Sequence, residues 1–132
     1  MPQRLASGWL ALGLAAIFLS SVWAFFLVLC RLPGVELCSG SGFATLLVYH
    51  VDFAVLVWFL AMAGTFLSST GPVGALQWLA LSLAWGGAFA LLLAAARDPA
   101  TPILANYFPV LAHSFFLWGM AAMGVGALLL VV

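Results

Sequence analysis

The sequence predicts an all-α integral membrane protein, with four transmembrane helices in an antiparallel bundle forming one membrane domain over residues 1–132. Three observations carry this. Composition comes first: 67% of residues are hydrophobic and 5% are charged, with a mean hydropathy of +1.31. A soluble domain carries roughly 25% charged residues, and this chain has too little polar surface to cover a globule in water. The second is where the charges fall. Arg4, Arg31, Arg97, Glu36 and Asp98 lie at the ends of long apolar runs, and only Asp52 lies inside one. A charge at the bilayer centre costs about 2.5–3.5 kcal/mol. The third is run length, since a spanning helix needs about 20 apolar residues. No alternation of period two argues for a barrel. The formal net charge is zero, so nothing points to a nucleic-acid partner.

The first span is read at 8–29, closed by Arg31 and Pro33. A secretory signal is set aside, because the apolar run from Leu5 to Cys30 exceeds the ~7–15 residues of a signal core. The polar loop "RLPGVELCSGSG" leads to the second span, 43–67, which ends at "SSTGP" with its Gly-Pro turn signal. The third span is 73–96, closed by "RDPATP". The fourth is 103–132, with Thr101 as N-cap and Pro102 at the first helical position. Pro109 inside it implies a kink or a short interfacial segment before the span proper. Helices are expected throughout, because backbone polar groups in lipid must be satisfied internally.

Small residues mark contact faces. Ala54, Ala61 and Gly64 share a helical face with His50, and Gly124 shares one with His113. Both imidazoles are therefore expected to face the bundle interior. Trp9 and Tyr107 fit an interfacial aromatic belt, whereas Trp58 and Trp85 lie deep. With a cytoplasmic N-terminus the positive-inside count is one arginine against two, which decides little. Cys30 and Cys38 flank the first loop. A disulfide between them is open if that loop faces an oxidising periplasm; the plainer reading is two unpaired thiols.

His50 and His113 are the only histidines. Each reads either as a packing residue with one hydrogen bond or as a heme or metal ligand, intramembrane ionisable groups being functional candidates by default. His50 lies ~12 Å along its helix from Gly42; His113 lies ~6 Å beyond Pro109 or ~16 Å beyond Pro102. Comparable depth would allow an iron between them. Tyr49, Asp52 and Asn106 lie near the same surface. Asp52 points about 200° around the helix from His50, and so is expected to pair with Arg31, Arg97 or a partner subunit, to cap loop amides or to bond a heme propionate. An unpaired ionised carboxylate in lipid is excluded by its cost. Met62, Met120 and Met123 read as packing. There is no CxxC, CxxCH, HExxH or phosphate loop, and no Ser–His–acid set.

The stretch "YHVDFAVLVWFLAMAG", Tyr49 to Gly64, resembles the second helix of heme-copper oxidase subunit I, in the branch that includes nitric oxide reductases and divergent oxidases. "NYFPVLAHSFFLWGM", Asn106 to Met120, is similar to the start of a fourth helix in divergent members. The resemblance implies that His50 ligates a low-spin heme of b or a type near the outer membrane face. It also implies a respiratory electron-transfer role in the bacterial inner membrane, alongside other respiratory-complex subunits or the remainder of a longer chain. The family's second low-spin ligand and its high-spin heme and copper ligands fall on later helices and have no counterpart here, so the chain alone is not a complete oxidoreductase. The ending "ALLLVV" fits a truncated or split relative. Two rivals stand beside this reading: a self-contained cytochrome with His50 and His113 as both heme ligands, and a cofactor-free membrane scaffold subunit.

Overall fold

The computed structural model describes residues 2–34, 38, 41–96, 101–104 and 109–131. Helix α1 runs Pro2–Leu29. Proline suits its first position, where the missing N–H has no helical partner to lose. The helix unwinds through Cys30 and Arg31, whose N–H groups donate to Phe26 O at 2.9 Å and Val28 O at 3.0 Å. It is followed by Gly34 at φ +81°, a left-handed backbone that favours glycine.

The second long helix, Gly42–Thr70, is continuous but not uniform. It consists of α2 (Gly42–Asp52), a π turn (Phe53–Val57) and α3 (Trp58–Thr70). The π turn has a packing consequence. Tyr49, Phe53, Val57 and Ala61 are all buried, each four residues after the last. Four residues overshoot an α-helical turn by roughly 40°, so this stripe would drift by roughly 120° over three steps. The wider turn takes up that drift and keeps the stripe on the core. At its end, the helix stops where Gly71 turns extended ahead of Pro72.

Helix α4 (Ala75–Ala96) follows, then the paired segments β1 (Pro102–Ile103) and β2 (Val110–Leu111), and then α5 (Ser114–Leu130). The strands are antiparallel, with Pro102 opposite Leu111 and Ile103 opposite Val110. The expected fourth helix thus starts later than Pro102. Ala112 N–H donates back to Thr101 O at 2.9 Å, and Pro109 has no N–H to contribute to a helix. Thr101 is consequently a hairpin residue and His113 is the N-cap.

The chain is mostly helical. Three helices, α1, Gly42–Thr70 and α4, are long and apolar enough to cross a membrane. The 17 residues of α5 make it shorter, about 26 Å. Large apolar side chains such as Phe18, Phe66, Phe89 and Trp118 face outward, as a lipid solvent permits.

Helix α1 packs along the second long helix, and α4 packs along α5. Small residues set both contacts. A Cβ on Gly64 would run into the Trp9 indole, and one on Gly13 would lie 3.3 Å from the Ala61 methyl. Trp9 is 0% exposed, so it is a core residue and not part of an interfacial belt; the glycine one helix away makes room for its ring. Between α4 and α5 the backbones themselves touch. A Cβ on Gly87 would lie 2.7 Å from Gly119 O, and one on Gly119 would lie 2.8 Å from Gly87 O. No side chain can swing aside to relieve either clash. The pairs are joined by the Tyr49 hydroxyl, which donates to Leu91 O at 2.9 Å, and by the Trp85 indole N–H, which donates to Gly8 O at 3.3 Å.

Replacing Gly119 by leucine is expected to force α4 and α5 apart and to cost roughly 1–3 kcal/mol or more. Gly124 on the same helix has open space around its Cβ position, and Gly124→Leu should be silent. Thermal unfolding of the two variants in detergent checks this; equal midpoints would contradict the close approach.

Candidate functional site

The site is built around His50, one turn before the π segment. Its imidazole meets α1 at Ser20, which is 1% exposed in the middle of that helix. His50 Nδ1 lies 3.0 Å from Ser20 O and 2.9 Å from Ser20 Oγ. The Ser20 hydroxyl donates to His50 O at 2.9 Å. Donor accounting favours the Nδ1–H tautomer, which satisfies both groups at once. A carbonyl oxygen only accepts, so Nδ1 carries a proton; the single hydroxyl proton of Ser20 is already committed to His50 O. In the neutral imidazole the lone pair is then on Nε2, which has no protein partner among the described residues.

His50 lines a groove of about 240 Å³ between α1 and α2, walled by Ala24, Leu27, Val28, Phe43 and Leu47, with Arg31 at its edge. Ala61 and Gly64 face α1 as His50 does, in keeping with their expected common face. The imidazole is only half-buried, however, and it opens onto a surface groove and not into a closed interior.

His113 is placed differently. It immediately precedes α5, where its Nδ1 accepts the Phe115 N–H at 3.2 Å and its ring stacks on Phe115 at 5.8 Å. The capping bond requires the Nδ1 lone pair, so in the neutral ring Nε2 bears the hydrogen. The two histidines therefore have opposite tautomers and opposite duties. His113 stands at a helix end, His50 lies well inside its helix, and the groove beside His50 contains no residue of α5. His113 thus serves as a helix cap and does not line the groove at His50. Ligation through His113 Nδ1 would sacrifice the cap, at about 0.5–2 kcal/mol.

Tyr49 turns away from the groove. It is buried against Trp23, Phe53 and Phe116, with ring centroids 5.2, 6.5 and 6.2 Å away. Its hydroxyl is committed to Leu91 O, so it is a structural tie between α2 and α4. Asn106, and with it the expectation that it sits near His50, lies outside the described residues, as do Tyr107, Glu36, Arg97 and Asp98.

Asp52 is 0% exposed, and neither carboxyl oxygen has a hydrogen-bond partner among the described residues. The expected pairing with Arg31 does not form, since the Arg31 guanidinium lies 5.1 Å above the Phe43 ring. Capping of loop amides is also not seen. No cluster of three or more His, Cys, Asp or Glu occurs among the described residues. Cys30 and Cys38 are joined as a disulfide, Cα–Cα 5.5 Å, within the ordinary range for such a bond.

Ser20 is the site residue that sequence reasoning passes over. Its signal was a hydroxyl in mid-span, where a polar side chain in an apolar helix needs an acceptor on a neighbour. Comparison with models of protein families, with curated proteins and with solved structures finds no match in any of the three.

Because Asp52 is buried without a hydrogen-bond partner among the described residues, Asp52→Leu is expected to raise stability by roughly 1–3 kcal/mol. A detergent melt reads this directly. A lowered midpoint would mean that another group holds the carboxyl.

Proposed function

We propose that this chain is a heme-carrying subunit of a respiratory electron-transfer complex, with four helices crossing a bacterial inner membrane as an antiparallel bundle. It would be a fragment or split relative of heme-copper oxidase subunit I. His50 would hold a low-spin heme of b or a type through its imidazole. The observation that supports this reading is the hydrogen bonding of His50 Nδ1 to the Ser20 carbonyl. An iron-ligating imidazole characteristically donates its second ring N–H to such an acceptor, which fixes the ring and raises the basicity of the ligating nitrogen. The residues present fit the group in two further ways. The walls beside His50 are apolar, suiting a macrocycle, and Nε2 is uncommitted.

When bound, the heme supplies reversible one-electron chemistry. What this chain's own residues do is bind and orient. Ser20 holds the imidazole plane, the α1–α2 walls exclude water from one side, and His113 stays on α5 as its cap. Because His113 is committed as a cap, any further residue needed to hold the group would come from another polypeptide segment. The disulfide beside the groove fits an outward-facing first loop, because such bonds persist in an oxidising compartment.

The test is a spectrum of the chain purified in detergent and supplied with heme. The expected form is a His50-dependent complex that becomes low-spin on adding free imidazole, is lost in His50→Ala and persists in His113→Ala. A low-spin band lost in both variants would identify a self-contained bis-histidine cytochrome. Absence of bound heme would leave a cofactor-free scaffold and overturn the proposal.

A further inference from the structure

We propose that the pocket where α3 and α5 end and α4 begins holds the headgroup of a zwitterionic phospholipid with a primary ammonium, of the phosphatidylethanolamine type. This rests on the reading of the helices as membrane spans and is independent of the His50 reading. The pocket, of about 290 Å³, lies at the far end of the second long helix from the disulfide loop. Its lining includes Thr70 at the end of α3, Gln77 in the first turn of α4 and Leu130 at the end of α5. Two helix C-termini and one helix N-terminus thus share one space. Helix ends leave backbone groups without helical partners, and they carry partial negative charge at the C-terminus and partial positive charge at the N-terminus. Among the described residues no charged side chain lines the pocket. Opposite partial charges without a net charge suit a ligand that is itself both anion and cation.

Ser68 points to a ligand independently of the helix ends. It borders the pocket, is 3% exposed, and its hydroxyl has no hydrogen-bond partner among the described residues. Its neighbours behave otherwise: Thr65 donates to Ala61 O, and Ser69 and Thr70 donate to Phe66 O. A buried hydroxyl that makes no such bond leaves its donor unused at a cost in stability. Gln77 is half committed. Its Oε1 accepts the Gly74 N–H at 2.9 Å, which leaves the amide NH2 for an acceptor. Ser68 and the Gln77 amide are therefore donors for a phosphate, and the carbonyls ending α3 and α5 are acceptors for an ammonium. Leu67, Leu130 and Val131 place apolar surface beside these groups, which suits the first carbons of acyl chains and favours a lipid over free phosphate.

The experiment follows the thermal midpoint of the full chain in detergent as dihexanoyl phosphatidylethanolamine, phosphatidylcholine or phosphatidylglycerol is added, with O-phosphoethanolamine and inorganic phosphate as soluble probes. The ethanolamine lipid is expected to raise the midpoint at the lowest concentration. The choline lipid, whose quaternary ammonium donates no hydrogen bond, and the glycerol lipid, which has no ammonium, are expected to need more. The soluble probes are expected to leave the midpoint unchanged. Ser68→Ala is expected to raise the half-maximal concentration of the ethanolamine lipid by about tenfold, the scale of one hydrogen bond. Ser69→Ala, whose hydroxyl serves its own helix, is expected to leave it unchanged. A choline or glycerol lipid that matches the ethanolamine lipid, no response to any lipid, or a Ser68→Ala response equal to wild type overturns the proposal and leaves the His50 reading standing. An equal response to either soluble probe overturns the lipid as occupant. A chain that stays dispersed in water without detergent overturns this proposal and the spanning reading together.

Discussion

The seating of α1 along the second long helix is the constraint on which the remaining arrangement depends. It is fixed at one end by the Trp9 indole over Gly64 and toward the other by Ser20 against His50. Between helices apolar on every face, hydrophobicity does not choose a register; shape and hydrogen bonds do. The Trp9–Gly64 contact supplies shape: a large ring fills the notch left by a missing side chain. The Ser20–His50 contact supplies direction, because it closes two hydrogen bonds between polar groups on facing helices. With α1 seated in this way, Tyr49 on the second helix is turned toward Leu91, and the α4–α5 pair is drawn in through that hydroxyl. The π turn makes the two demands compatible. It lets Tyr49, Phe53, Val57 and Ala61 stay buried in one line while His50 keeps its contact with Ser20.

Polar side chains in this protein fall into two groups. Most hydroxyls in the helices bond back to their own helix, as Ser21 does to Ile17 O at 2.8 Å and Thr65 to Ala61 O at 2.8 Å. These are local and specify nothing about partners. Ser20 and Tyr49 reach across to another helix and therefore specify packing. Asp52 does neither. A fully buried carboxyl without a partner costs stability wherever it occurs, and packing gives no reason for it, since an apolar residue of similar size would fill the same space. Its position abuts the first residue of the π turn, and such turns occur often at functional sites. Asp52 is thus the residue in the helical core that stability alone accounts for least.

The long helices were legible because their signal is bulk. Twenty or more apolar residues between charged or Gly-Pro boundaries leave few alternatives in any solvent. The start of α5 was less legible, because Thr101-Pro102 carries the same cap chemistry whether a helix or a hairpin follows; the decision came from Pro109 and from pairing across the intervening residues. The π turn had no signature at all. "FAVLV" holds no proline or glycine, and the turn is imposed by what the flanking side chains must reach. Trp9 was misplaced for a related reason: indoles favour interfaces on average, but a glycine on the facing helix overrides the average, and that glycine is visible only once the register of the two helices is known. His50 was singled out by its rarity. Its partner Ser20 was not, because serine is common and its role depends on a neighbour 30 residues away.

The two histidines bear on how far residue type can carry a functional reading. Both sit in apolar surroundings, and spacing alone allowed them to be a pair. Hydrogen-bond accounting separates them. His113 offers its lone pair to a backbone N–H and so serves the fold. His50 Nδ1 faces a backbone carbonyl, and its Nε2 has no hydrogen-bond partner among the described residues. The location of the groove adds a consequence. It is walled by α1 and α2 and lies away from α4 and α5, so a group bound at His50 would present its far side to whatever packs against that flank. On this reading the site is half of an interface. If the proposed heme sits at His50, a polypeptide docked on that flank would be placed both to complete its ligation and to exchange electrons with it, so that the two would follow from a single docking event.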